Sequence, residues 1–295
     1  MKAALLPDRG VVKVAGSDAR KFLNGLLTAD MGSVTTASPR FAALLTPQGK
    51  IIVDFIVVEA PDGGFLLDCP LVLAPALAER LGFYRLRAKV TIDNQSEILG
   101  VTAIWNGTPP PAAPSGAAPS GLCYPDPRLP ELGLRCIALA DGAAPVAEPA
   151  GAAAYEAHRI GLGVPSGGLD FAYGDAFPHE ADLDQLHGVD FQKGCYVGQE
   201  VVSRMEHRGS ARNRVVPVSL GGTAPATGSA VTAAGRSVGV MGSVSAGRAL
   251  AMLRLDRVDE ALAGGAPLMA GEVELRLVKP AWARFAFPGE PKAAL

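Results

Sequence analysis

The sequence predicts an α+β fold, with antiparallel sheets and helices first and a small all-β unit last. Three observations carry this. Apolar residues make up 48% of 295 positions, enough for more than one core, and the length fits about two domains. Residues 51–95 read in the order strand, strand, helix, strand, the pattern of an antiparallel sheet covered by helices on one face. After residue 212 the texture changes to short apolar runs (VVPVSL, SAVTAA, RSVGVMGSVS, ALAMLRL, VELRLV) separated by glycine-rich turns, as in a sandwich or barrel.

Taken in order, VVKV at 11–14 predicts a short strand. Ser17 offers an N-cap hydroxyl and Asp18 a first-turn acid, and Phe22, Leu23, Leu26 and Leu27 recur at helical spacing, so a helix is expected over 18–30. IIVDFIVVE and FLLDC flank the turn chemistry of PDGG and predict a hairpin. LVLAPALAERLGFYRL has a helical period, with Pro75 placed in its first turn. RLRAKVTID returns to strand. Residues 107–121 (GTPPPAAPSGAAPSG) lack periodicity and core-forming residues and predict a flexible loop. A second low-complexity stretch, 143–154, leads into a helix ended by the glycines of RIGLG.

Composition excludes some functions. A formal charge of −2 argues against bulk attraction to nucleic acid, and direct nucleic-acid binding is not expected. The apolar start is broken by Pro7, Asp8 and Arg9, short of the ~7–15-residue core of an export signal. No window reaches ~18 uncharged apolar residues, so no membrane partner is expected and the cytoplasm is the expected compartment. The cysteines at 69, 123, 136 and 195 show no C-x-x-C and no zinc spacing. No metal site and no disulfide are expected, with Cys69 and Cys136 read as small buried hydrophobes. Phosphate loops of the GxGxxG or GxxxxGK[ST] type are absent.

The densest chemistry lies at 191–204, FQKGCYVGQEVVSR. Cys195 sits between Gly194 and Gly198, just before a helix expected to start near Gly198, with Lys193 and Arg204 close in sequence. A cation or a helix N-terminus lowers a thiol pKa. On the residues alone, a structural cysteine and a reactive thiol both remain open. His179, His187 and His207 could each form a Cys/His pair, and none has a compelling spacing. Arg204, Arg208, Arg212 and Arg214 form a basic run that suits either solvent or an anion. Glu180, Asp182 and Asp184 are expected at helix beginnings. Asp54 lies in an otherwise apolar strand, IIVDFIVV, and so needs a ligand or an ion pair, with Arg85 or Arg87 as candidates.

KGCYVGQEVVSR resembles the signature of the YgfZ-type folate-binding proteins, relatives of the glycine cleavage T-protein linked to iron–sulfur cluster assembly or repair. GSDARKFLNGLLTAD, LTPQGKIIVDFIVVE, YRLRAKV, RIGLGVP and FPHEADLDQLHGVDFQKGCYVGQEVVSRMEHRG extend the likeness over most of residues 10–215. It implies a T-protein-like three-part disc: residues 1–210 as a folate-binding α+β region of two interleaved subdomains, and 211–295 as a C-terminal β-barrel. It implies tetrahydrofolate or a related reduced folate in a central channel, with Asp54 lining it and Arg159 near it. Cys195 would be the reactive thiol, Lys193, Tyr196, Gln199 and Glu200 signature residues of the site, and Lys193 and Arg204 the cations favouring the thiolate. Iron–sulfur assembly or client proteins, including enzymes that modify tRNA, would be the partners. The T-protein has two adjacent acids where this chain has Val53-Asp54, an acid in the turn that here reads RIGLG, and no signature cysteine. These departures favour the accessory role over the alternative, a tetrahydrofolate-dependent aminomethyltransferase or demethylase.

Overall fold

The computed structural model describes residues 1–107, 121–140, 147–209 and 211–290; most of the expected loop at 107–121 and the start of the stretch at 143–154 lie outside them. The chain divides into two compact units. Met1–Tyr155 and Leu186–Gln199 form the first, Glu156–Gln185 and Glu200–Leu295 the second.

The first unit contains β1 (Lys2–Leu5), β2 (Arg9–Ala15), α1 (Ala19–Asn24), β3 (Arg40–Leu45), β4 (Ile51–Glu59), β5 (Phe65–Pro70), α2 (Ala74–Arg85), β6 (Thr91–Asn94), β7 (Leu99–Trp105), β8 (Gly121–Pro125), β9 (Leu134–Leu139) and β10 (Glu148–Pro149). They make two five-stranded sheets, β3-β4-β5-β2-β6 and β10-β1-β7-β9-β8. In the first sheet the side-chain period of two sorts the faces. Val12, Val14, Val53, Phe55, Val57, Leu67 and Cys69 pack into one apolar core with Leu23 of α1 and Leu77 and Leu81 of α2. Register partners Ile56 and Asp68, and Val11 and Asp68, put Arg9, Val11, Asp54, Ile56 and Asp68 on the opposite face.

The predicted hairpin and α2 form, with Pro75 in the first turn of the helix. Four expectations are corrected. The helix expected over 18–30 stops at Asn24, because Leu27 is drawn into a bridge with Leu44 and the Thr28 N–H donates to the Ala43 carbonyl. Asp18, not Ser17, holds the N-cap position, and its carboxylate accepts the Lys89 N–H at 2.8 Å. The strand expected from residue 85 begins at Thr91, since Leu86 has φ +43 and breaks the extended run. Cys123 and Cys136 face each other across β8 and β9 and form a disulfide. Only the pairing of β8 with β9 aligns the two cysteines, and no spacing in the sequence marks it.

In the chain, α3 (Ala152–Leu162) and α4 (Gln199–Arg208) straddle two of the unit boundaries. The second unit then builds β11 (Asn213–Leu220), β12 (Ala230–Ala233), β13 (Arg236–Ser245), β14 (Arg248–Arg254), α5 (Leu255–Ala263), β15 (Leu268–Ala270) and β16 (Val273–Leu277). The six strands close in the order β11-β14-β13-β12-β15-β16, with β16 paired back to β11. Val216, Val218, Val231, Ala251, Leu253 and Leu275 fill its core.

Candidate functional site

The sequence predicts the site at 191–204, and the first unit shows how residues 191–199 of that segment are held. Thr28, fully buried, is the fastening point. Its hydroxyl donates to the Gly188 carbonyl at 2.6 Å and accepts the Ala43 N–H at 2.8 Å, and its carbonyl accepts the Asp190 N–H at 2.9 Å. Asp190 Oδ1 then accepts the N–H groups of Gln192 and Lys193 at 2.8 and 3.1 Å, which turns the chain.

Lys193 reaches back to the C-terminal end of α1. Its Nζ donates to the carbonyls of Asn24, Leu27 and Ala29 at 2.8, 2.7 and 2.8 Å, using three ammonium donors on acceptors that the early end of the helix leaves open. The ammonium also lies 5.1 Å from the Tyr196 ring centroid. Burial pulls the Lys193 pKa down to about 8, against the opposing pull of Asp30 and Asp190. Burial pushes the Tyr196 phenol up, and Asp190 adds to this.

Gly198 pins the other end of the loop. It has φ +83, and a Cβ there would lie 2.6 Å from the Thr46 carbonyl oxygen in the turn between β3 and β4. Gln199 Oε1 accepts the Tyr196 N–H at 3.3 Å at the start of α4. Between these anchors Cys195 is exposed. Cys69 is the contrasting free thiol: buried in the apolar core, with its pKa pushed by burial to about 12. A cleft of about 580 Å³ adjoins the loop, lined by Asp30, Arg40, His187, Asp190 and Phe191 among others.

Asp54 is buried on the polar face of the first sheet, where its charge helps Asp68 keep Arg9 protonated against burial. That face carries a network which sequence reading missed. Arg9 Nε meets Asp68 at 2.6 Å, Arg135 bridges Asp68 and Asp126 at 3.3 Å each, and Arg128 forks onto Asp126 at 2.9 and 2.7 Å. The Tyr155 hydroxyl accepts from Arg135 at 2.9 Å. Burial alone would raise the Asp126 pKa, but Arg128 and Arg135 hold it down to about 2. The signal was available: Asp68 interrupts FLLDC as Asp54 interrupts IIVDF.

The other predicted residues lie in the second unit. Arg159 is buried with all five N–H donors taken: two by the Val164 carbonyl and Asp170 at 2.6 and 2.8 Å, two by Glu156 and Ser243 at 2.6 and 2.8 Å, and Nε by Glu156 at 3.2 Å. That set makes it a clamp on α3. Glu200 and Arg204 form an exposed pair on α4, 2.6 Å apart. The basic run does not form one surface, because Arg214 is buried and forks onto Asp184 at 2.8 and 2.9 Å while bonding Asp182 at 3.0 Å. Glu180, Asp182 and Asp184 therefore do not open a helix; they lie in turns, with Asp182 at φ +58. His179, Asp184 and Glu206 bring ligand atoms within 4.8 Å of one another, but the Arg214 fork holds both Asp184 oxygens.

The arrangement is a solvent-facing thiol on a rigid mount beside a cleft. As thiolate it can act as a nucleophile or a soft metal ligand. One thiol cannot hold an iron–sulfur cluster, which takes about four ligands, so any such contact would be shared.

Comparison with known proteins adds three findings. Residues 212–285 match the C-terminal beta-barrel domain of CAF17. The chain matches the glycine cleavage system aminomethyltransferase T from Bartonella henselae, with a TM-score of 0.72 over 97% of this chain and 87% of that one; at 16% identity this likeness shows the fold. The iron–sulfur cluster assembly factor IBA57 homolog of Mycosarcoma maydis is 37% identical over 244 residues, 76% of this chain and 59% of the relative. Human IBA57 is 32% identical over 281 residues, 86% of this chain and 77% of the relative. These relatives are named mitochondrial proteins, which overturns the expected cytoplasmic location. The α+β T-protein-like fold with a closed barrel is shown, and by its identity to human IBA57 over most of that protein the chain belongs to the IBA57 family of iron–sulfur cluster assembly factors.

Proposed function

We propose that this chain is a folate-binding accessory factor for the assembly or repair of iron–sulfur proteins, tRNA-modifying enzymes among them, and that Cys195 is the group through which it touches a cluster or a partner. The observation that carries the reading is the exposed Cys195 thiol, held by Thr28, Lys193 and Gly198. A partner protein supplies the remaining cluster ligands. Lys193 acts as a positioning residue, since its donors go to carbonyls of α1. The signature shared with YgfZ-type proteins supports a reduced folate as ligand, with Asp54 accepting from its amino-pyrimidine edge. Aminomethyl transfer or demethylation is the second reading, supported by the T-protein fold. Against it, Val53 is buried in the apolar core, leaving one acid where the T-protein has two.

Two measurements test this. In a strain lacking the protein, Cys195→Ala should fail to rescue cluster-dependent enzymes while folding as the parent does; full rescue removes the thiol from the mechanism. Titration with tetrahydrofolate should show saturable binding that Asp54→Ala weakens at least about tenfold, the loss of one charge-assisted hydrogen bond. No binding to the parent chain removes the folate.

A further inference from the structure

Helix α2 is apolar on both sides. Ala74, Leu77 and Leu81, at helical spacing, are buried against the sheet. The opposite line of the helix carries exposed Ala76, Phe83 and, in the turn that leads into it, Val72; Val72 is 83% exposed and Phe83 67%. Leu86 ends the helix at 88% exposure and φ +43, a conformation unfavourable for a branched apolar residue. An apolar side chain held in that backbone state, fully in water, gains nothing from this chain's own core.

The same stretch is basic. Arg80, Arg85, Arg87 and Lys89 are exposed, and none of their side chains pairs with a carboxylate among the described residues; the acids beside them are Glu79 and Asp18, which accepts the Lys89 backbone N–H. The whole chain has a formal charge of −2, so this concentration of positive charge is local. Large apolar side chains amid unpaired cations form the paired signal of interfacial binding, in which neither part suffices by itself. Val72, Phe83 and Leu86 project into solvent and not into this chain's own core. A headgroup layer deforms to receive such groups, whereas a rigid protein partner would need a matching pocket for each. No described helix is long and apolar enough to cross a bilayer, so the contact is peripheral.

We propose that the outer face of α2 and the following Arg85–Lys89 turn bind an anionic phospholipid surface, Val72, Phe83 and Leu86 entering the headgroup layer and the four cations pairing with lipid phosphates and carboxylates. This is independent of the iron–sulfur reading.

The test is co-sedimentation of the full chain with vesicles of phosphatidylcholine alone or mixed with phosphatidylserine. Binding is expected to the mixed vesicles and not to the neutral ones, and should weaken as salt rises. The double reversal Arg85→Glu/Arg87→Glu should reduce it at least about tenfold, each basic residue near an anionic surface contributing about a factor of five. Phe83→Ser/Leu86→Ser should also reduce it, and what remains should still respond to salt. Arg236→Glu/Arg276→Glu, the same charge change on the barrel, should leave it intact, and thermal melts confirm that each variant is folded. Equal binding to neutral vesicles, no vesicle binding, or full binding by the Arg85/Arg87 variant overturns the proposal. An acidic peptide that binds this face while vesicles do not would reassign it to a protein partner.

Discussion

Lys193 joins two roles that pull against each other. Three carbonyls need an ammonium with three donors, while burial lowers its pKa to about 8. Free lysine titrates near ~10.4. Below about pH 8 folded and unfolded chains both hold the proton. Between about 8 and 10.4 the unfolded chain holds more, so this group's contribution to stability rises with pH even as the loop loses one of its three donors. Nitrogen-detected NMR of the lysine side chains should find one Nζ titrating near pH 8. Its midpoint should fall in Asp190→Asn, because the Asp190 charge now opposes the shift. Lys193→Met leaves the Asn24, Leu27 and Ala29 carbonyls without donors. It should lower stability by about 2–3 kcal/mol in urea melts and speed the reaction of Cys195 with a thiol reagent, as the loop on either side of it loosens. A titration indistinguishable from free lysine, together with an unchanged urea midpoint, would show that the clamp does not hold the loop.

Elements set where these residues meet. The loop carrying Cys195 is fixed by an approach of backbone to backbone, Gly198 against the β3–β4 turn, that admits only glycine. Gly198→Ala meets both the positive φ and the Thr46 oxygen. It should cost more than about 1 kcal/mol in chemical denaturation and raise hydrogen exchange across 193–199, with little change in the barrel. A neutral result would mean that the turn yields at no cost. What could be read from the sequence follows the same division. The 51–70 hairpin, α2 with its early proline, the start of α4 after Gly198 and the strands of the barrel are set by local period and turn chemistry, so they were legible. The end of α1 was not, because its last apolar residues are claimed by a strand distant in sequence. Nor were the disulfide partners, which only the pairing of β8 with β9 aligns, or Thr28, a residue with no local mark whose role comes from three distant backbone groups. Of the site itself, the cysteine segment and Asp54 could be found as polar residues out of place. The resemblance implies Arg159 near a folate channel, and the structure surrounds it with five protein acceptor atoms.

At the scale of the whole molecule, each unit buries a charged network, and the two respond to acid in opposite directions. In the first, burial by itself would keep Asp126 protonated, yet Arg128 and Arg135 lower its pKa to about 2. Its folded pKa thus lies below the unfolded value of about 3.9, so its contribution is complete above about pH 4 and is lost as pH falls through 2. That contribution is on the order of 2 kcal/mol. In the second, burial raises Asp182 well above the ordinary carboxylate range, more than Arg214 lowers it. The Asp184 fork holds Arg214 at 2.8 and 2.9 Å, and Arg214 also contacts Asp182 at 3.0 Å. There the folded chain binds the extra proton, so acidification from neutral pH toward 4 stabilises. Urea midpoints across pH should therefore rise from pH 7 toward 4 and fall steeply below it. Asp182→Asn, which keeps the acceptor for Arg214, should flatten the upper limb while Asp126→Asn flattens the lower one and lowers stability at pH 7. If Asp182→Asn leaves the upper limb unchanged, Asp182 is ionised in the fold and Arg214 balances two carboxylates. The barrel's edge would then owe its stability to a buried ion triad, which acid should dismantle.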